Sequence, residues 1–239
     1  MAVLAVLILG LAGIKIAISG EKSLFFGREV EGEIKKIPIN GQEVETLWIN
    51  SRTTTTWGGV LLLAGENNHA DWPQVISPLR TALPNHGWST LSLALPADEK
   101  LHQATITSAL ELLRQGGLKV VVMVGHDRGA VAALAFLQQK PPKPPVALVL
   151  IGLNSPEFAP PLDGTIPVLD LVGSQDYQLV LTTAKQRALM TQKIAPKFYR
   201  QVIISGADHY FQGLQALLLK TIRGWLRQTV ELSLEQGNP

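Results

Sequence analysis

Val120-Val121-Val122-Met123-Val124-Gly125-His126-Asp127-Arg128-Gly129-Ala130-Val131-Ala132-Ala133-Leu134 is the stretch whose reading decides the fold. Val120 to Val124 is apolar at every position, as in a strand covered on both faces. Ala130 to Leu137 reads as an apolar helix. Between them lies Gly125-His126-Asp127-Arg128-Gly129, a strand-to-helix bend too sharp for side chains at its two ends, so Gly125 and Gly129 are needed there. The bend pushes Asp127 above the sheet and places it at a helix N-terminus. Backbone N–H groups and the helix dipole favour an anion at that point, so Asp127 is expected to be ionised at neutral pH. Taken alone, this stretch leaves two readings open: a helix-capping aspartate or a reactive carboxylate.

The same rhythm extends outward in both directions. Apolar runs recur at Val60 to Ala64, Ser89 to Leu95, Ala147 to Ile151, Val168 to Val172 and Gln201 to Ile204. Helical patterns lie between them. One is the stripe Trp72, Val75, Ile76, Leu79 and Leu83 with Asp71 as its N-cap. A second is Ile106, Leu110 and Leu113, closed by Gly116-Gly117. Ala130 to Gln139, Leu179 to Lys193, and a final stripe through Leu214, Leu218, Ile222, Trp225 and Leu226 complete the set. Alternation of this kind predicts an α/β domain with a mostly parallel, doubly wound sheet. Ahead of it, Glu31 to Ile37 and Glu43 to Asn50 predict a hairpin turned at Asn40-Gly41. Residues 21–230 form the expected domain, and 231–239 a flexible tail.

Three further segments could carry chemistry. Ile204-Ser205-Gly206-Ala207-Asp208-His209-Tyr210-Phe211 places His209 on a loop before the last helix, where an imidazole can reach over the sheet as a general base. Leu171-Val172-Gly173-Ser174-Gln175-Asp176-Tyr177 supplies Asp176 just after a strand, upstream of the histidine, as an acid that orients it; a cap for the helix near Leu179 is the competing reading. Ala64-Gly65-Glu66-Asn67-Asn68-His69 follows the first parallel strand. His69 and His126 read as packing or loop histidines.

Composition limits the rest. A net charge of +2 over 239 residues, with signs interspersed, gives no basic stripe for nucleic acid. The absence of cysteine removes disulfides, thiolate catalysis and cysteine metal sites. No metal-ligand cluster and no cofactor fingerprint is readable, so no metal and no cofactor are expected. Met1 to Ile18 is nearly all apolar, interrupted only by Lys15. Residues 1–20 are therefore expected to be a signal peptide or membrane anchor, which implies the cell envelope, periplasmic or tethered to the inner membrane.

On these residues the chain resembles the α/β-hydrolase superfamily, from about Glu31 to Gln228. Val124 to Ala130 is similar to its nucleophile elbow, with aspartate where esterases carry serine. Gly206 to Phe211 is similar to the catalytic-histidine segment of compact bacterial hydrolases. Ala70-Asp71-Trp72-Pro73, Pro78-Leu79-Arg80 and Gly87-Trp88-Ser89-Thr90-Leu91 resemble a proteobacterial family of unknown function, number 3530, which is hydrolase-like and tends to carry export or anchor sequences. The elbow alone also resembles haloalkane and fluoroacetate dehalogenases and epoxide hydrolases, whose nucleophile is aspartate. The resemblance implies an α/β-hydrolase fold, with Asp127 as nucleophile, His209 as base and Asp176 as the orienting acid. It also implies an oxyanion hole from the backbone N–H groups of Glu66 and Arg128. Two features depart from the dehalogenases: Gly152 to Pro167 leaves no room for a cap domain, and Arg128 stands where haloalkane dehalogenases tend to have tryptophan. The expected function is hydrolysis of a small-molecule substrate; the alternative is an inactive hydrolase fold that serves as an envelope binding module.

Overall fold

The computed structural model describes residues 22–65, 69–155, 166–194 and 198–235. The strands of the main sheet are β3 (Glu33–Ile39), β4 (Gln42–Ile49), β5 (Gly58–Ala64), β6 (Trp88–Ala94), β7 (Val121–His126), β8 (Ala147–Ile151), β9 (Val168–Gly173) and β10 (Tyr199–Ile204). They form an eight-stranded sheet in the order β10-β9-β8-β7-β5-β6-β4-β3. β4 pairs antiparallel with both β3 and β6, and every other pairing is parallel. This is the α/β-hydrolase arrangement that the sequence predicts. The β3–β4 hairpin turns at Asn40 (φ 47°) and Gly41 (φ 82°), as Asn-Gly requires.

Alternation along each central strand divides the core into two layers. Leu61 and Leu63 of β5 face one side, packed against Ile106, Leu110 and Leu113 of α2 (His102–Gln115) and Ala130, Ala133 and Leu134 of α3 (Arg128–Gln138). Val60, Leu62 and Ala64 face the other, against Ile76 and Leu79 of α1 (Ile76–Ala82) and Leu218, Ile222 and Trp225 of α5 (Gln215–Leu226). Helix α4 (Gln178–Ile194) covers β9 through Val180 and Ala184, and Arg187 from it meets Asp170 of β9 at 2.7 Å, both side chains fully buried. With helices on both faces, the carboxyl ends of the parallel strands open along one edge, where α/β sheets bind ligands.

Two expectations are corrected. Asp71 does not cap α1: the helix starts at Ile76 behind Val75 with no side-chain capping bond. Asp71 instead pairs with the guanidinium of Arg80, whose side chain is 1% exposed. A buried cation needs a counter-charge more than a short helix needs a cap. The chain past Val230 does not begin as a free tail either. A π turn covers Arg227–Glu231 and an α turn Leu232–Glu235. Glu231 is buried and accepts from Trp88 Nε1 at 3.0 Å.

One element was not expected. β1 (Lys22–Phe25) and β2 (Arg28–Glu31) form a separate antiparallel hairpin that turns at Phe26 (φ 49°) and Gly27 (φ 73°). The segments expected to be the leader (1–20), the oxyanion-loop residue Glu66 and the end of the tail (236–239) lie outside the described residues.

Candidate active site

Asp127 stands between β7 and α3 at φ 53°, ψ −119°, a conformation that L-residues seldom adopt. Close backbone approach on either side explains the flanking glycines. A Cβ on Gly125 would sit 2.4 Å from the carbonyl oxygen of Gly129, and one on Gly129 would sit 2.2 Å from that of Leu63. The Asp127 N–H donates to Ile151 O (3.0 Å), and its carbonyl accepts from Ala130 (3.0 Å) and Val131 (3.2 Å). The bend is thereby fixed on both flanks. Asp127 occupies the cap position of α3, yet its side chain makes no capping bond.

Backbone stitches align the loops after β9 and β10. Ser174 N–H donates to Ile204 O (3.0 Å) and Gln175 N–H to Ala207 O (2.8 Å). Gly206 N–H donates to Ser174 Oγ (2.8 Å). Asp208 holds the second loop from within by accepting the N–H groups of Tyr210 and Gln212, both at 3.0 Å. The result is the pair His209 Nδ1–Asp176 Oδ1 at 2.6 Å. Asp176 also accepts the Tyr177 N–H at 2.7 Å, so the cap-like and orienting readings of this residue are satisfied by one oxygen. On the far side of the ring, His209 Nε2 faces Asp127 Oδ1 at 3.6 Å. Asp127 Oδ1, His209 Nε2 and Asp176 Oδ2 are buried polar atoms with no hydrogen-bond partner among the described residues. Unpaired buried atoms are rare in folded proteins and concentrate where chemistry or binding occurs.

The charges are coupled. Burial works against the imidazolium of His209, but the two carboxylates that flank it, Asp127 and Asp176, outweigh burial and raise its pKa to about 9. Burial would also raise the Asp127 carboxyl, yet His209, His126 and the Arg128 backbone N–H hold it below its ordinary value. At neutral pH Asp127 is a carboxylate and His209 an imidazolium.

Gly152, Tyr177 and Tyr210 are residues at the site that the sequence does not single out, while His126 takes the packing role expected of it. Gly152 (φ 55°) lies against the histidine: a Cβ there would sit 2.9 Å from His209 Cε1 and 3.0 Å from Nδ1. Tyr177 stacks on the His209 ring at 4.3 Å and 25°, and its hydroxyl meets that of Tyr210 at 3.2 Å. His126 packs from below, with ring centroids 5.0 Å apart. Its Nε2–H donates to the His209 carbonyl at 3.1 Å. Burial pushes the His126 pKa down to about 4, so it is neutral and braces the loop. These constraints join residues far apart in the chain, and only the neighbours of Asp176 and Asp127 along the sequence hinted at two of them.

Arg128 contributes its backbone to the start of α3, while its half-exposed side chain reaches toward Glu99 (3.7 Å). It also borders a cleft of about 470 Å³ lined by Leu95, Lys100, Val131 and Phe136 among others. Asp127, Asp176 and His209 do not line that cleft. Among the described residues no group of three or more His, Cys, Asp or Glu side chains could hold a metal ion.

A model of the family described as "Protein of unknown function (DUF3530)" matches residues 19–103 and 97–228. No curated protein matches the chain. Solved structures with the same fold include Est1E from Butyrivibrio proteoclasticus (13% identity, 83% of this chain and 99% of that one, TM-score 0.68). An alpha-beta serine hydrolase homologue from Coxiella burnetii shares 18% identity over 82% of this chain and 99% of that one, with a TM-score of 0.67. The dienelactone hydrolase of Anabaena variabilis shares 20% identity over 84% and 98%, with a TM-score of 0.65. At these identities the likeness is one of fold.

Proposed function

The chain belongs to the DUF3530 family of proteins of unknown function, and from that premise we propose that it is a compact hydrolase of the cell envelope using Asp127, His209 and Asp176. The observation that carries this reading is the single imidazole placed between two carboxylates, 2.6 Å from one and 3.6 Å from the other. An aspartate nucleophile selects the substrate. Attack on an acyl carbon would give an anhydride, a poor route for ester hydrolysis. Attack on an alkyl carbon gives an ester that water can cleave. The substrate class is therefore a small molecule with an electrophilic sp³ carbon, such as an epoxide or an alkyl halide.

The mechanism follows from the charges. Asp127 Oδ1 forms a bond to the carbon as the leaving group departs with its electron pair. Esterification removes one of the two negative charges that keep His209 protonated. Its pKa falls, and the proton passes to an alkoxide leaving group or to solvent. Neutral Nε2 then takes a proton from water as the water oxygen attacks Asp127 Cγ. Asp176 holds Nδ1–H and stabilises the new imidazolium. The tetrahedral oxyanion would accept from the backbone N–H groups of Arg128 and Glu66. Collapse expels the alkoxide, which takes the proton held on His209 Nε2, and the Asp127 carboxyl that remains gives its own proton to His209, which restores carboxylate and imidazolium.

The test is a panel of epoxides and haloalkanes turned over in H₂¹⁸O. One ¹⁸O must enter the Asp127 carboxylate, read by mass spectrometry of its peptide, and Asp127→Asn must abolish turnover. Turnover with no label in that peptide overturns the nucleophile assignment. An inactive hydrolase fold acting as an envelope binding module is the second reading. It is favoured by the resting ion pair, which leaves His209 without a free lone pair. Saturable binding of panel compounds without turnover would select it.

The envelope assignment rests on the composition of Met1 to Ile18. Among the described residues no helix is long and apolar enough to cross a membrane. Mass spectrometry of the mature N-terminus tests the assignment: cleavage near Ser19 or a retained, membrane-sedimenting chain supports it, and an intact chain recovered in the cytosolic fraction overturns it.

A further inference from the structure

The β1–β2 hairpin breaks two local rules at once. Alternation puts Phe25 and Val30 inward against Leu47 and Ala70. The outward position between them is Leu24, 73% exposed, where a strand facing water would carry a polar side chain. The turn then places Phe26 at φ 49°, with 76% of its surface exposed. A large side chain in the left-handed region is disfavoured, and two-residue turns of this kind strongly prefer Asn-Gly. The next hairpin of this chain obeys that preference at Asn40-Gly41, with nearly the same angles. Phenylalanine at the equivalent place in the first hairpin therefore gains nothing for the turn. Edge-to-face contact with Phe25 at 4.6 Å leaves most of the Phe26 ring open.

What lies beside the hairpin in the chain indicates what covers it. Lys22, the first residue of β1, follows the apolar run Met1 to Ile18 after only Ser19, Gly20 and Glu21. Three extended residues span at most about 11 Å. A run of that composition in a bilayer holds β1 within that distance of the lipid surface. The charged groups of the hairpin form no block of one sign: Lys22 pairs with Glu29 at 2.8 Å, Arg28 lies at the turn, and Glu31 pairs with Arg52. The complementary surface is thus apolar and zwitterionic rather than strongly anionic.

We propose that the β1–β2 hairpin is a membrane-contact element, with Leu24 and Phe26 seated in the interfacial region of a lipid bilayer. It shares the apolar leader with the envelope reading and is independent of the hydrolase reading. The hairpin also touches the catalytic edge: the Phe26 ring lies 6.3 Å from that of His69, on the loop that follows β5. Contact with lipid turns His69 toward the membrane.

The absence of cysteine makes the test direct. Leu24→Cys, Phe26→Cys and, as a remote control on α2, Glu111→Cys variants of the full chain are labelled with an environment-sensitive fluorophore. Each is mixed with phosphatidylcholine vesicles, with and without spin-labelled lipid. Blue-shifted, quenched emission at positions 24 and 26, with an aqueous spectrum at 111, is the expected result. Aqueous spectra at 24 and 26 on a chain that sediments with the vesicles overturn the hairpin contact and leave the leader reading standing. A chain that does not sediment overturns both. Phe26→Asn separates contact from folding: it should keep or raise the melting temperature while returning the probe at position 24 toward its aqueous spectrum and weakening its quenching by spin-labelled lipid several-fold. Unchanged emission and quenching at position 24 would count against the proposal.

Discussion

Asp127 Oδ1 stops 3.6 Å from His209 Nε2, just outside hydrogen-bond range, while charge links the two firmly. The carboxylate raises the imidazole pKa, and the imidazolium lowers that of the carboxyl. Asp127→Asn should therefore move the His209 pKa down from about 9. NMR titration of the imidazole reads this without any substrate. A pKa unmoved by the substitution would show that Asp176 alone sets it.

Stability should peak near pH 6.5, and the sign differs for each histidine. His209 is raised from 6.5 to about 9, so its contribution is complete below 6.5 and is lost as pH rises through 9. His126 is depressed to about 4, so its contribution is present above 6.5 and is lost as pH falls through 4. The depressed Asp127 adds to the loss on the acid side, below its ordinary value of 3.8. Thermal melts from pH 4 to 9 should show both limbs. His209→Gln should flatten the alkaline one and His126→Gln the acid one.

Gly152→Ala should damage the site more than the fold. The new Cβ must adopt a positive φ and press on the imidazole at 2.9 Å. Strain of this kind costs about 1–3 kcal/mol, a modest fall in melting temperature. The larger effect should be on the His209–Asp176 bond, seen as a change in the downfield Nδ1 proton resonance. Retention of the wild-type resonance would mean that the loop gives way freely.

Gly129→Ala is expected to be worse, because the obstacle at 2.2 Å is the backbone of Leu63 in the central strand β5. Neither partner can rotate away. A loss of more than about 3 kcal/mol is expected, in the range reserved for core disruption. Chemical denaturation checks it, with Gly224→Ala, which has open space around it, as the tolerated control.

Arg187→Leu isolates a buried charge. Arg187 and Asp170 are fully buried and paired at 2.7 Å, with Gln201 also bonded to the same carboxylate. Removing the cation strands Asp170 and should cost about 3–5 kcal/mol. The double variant Arg187→Leu, Asp170→Leu should recover part of that loss, which urea melts can measure.

The strands at the centre of the sheet were legible because continuous apolar runs admit few alternatives once they alternate with amphipathic helices. Asp127, Asp176 and His209 were legible because each follows a strand end in a fixed order. Asp71 was misread because an aspartate before an apolar stripe resembles a cap, and its partner Arg80 was not visible as a buried cation. Phe26-Gly27 escaped because phenylalanine argues against the turn that it occupies. Gly152, Tyr177 and the Trp88–Glu231 bond follow from loops brought together by the sheet order, which no local pattern records.

β10 is the last strand of the sheet, flanked on one side only, and it alone carries the histidine loop. The imidazole thus hangs from one margin of the sheet, while the aspartate that it faces is anchored at the middle. Peeling that margin would part the imidazole from the aspartate before the centre melted, so loss of the proposed site and loss of the fold are separable events.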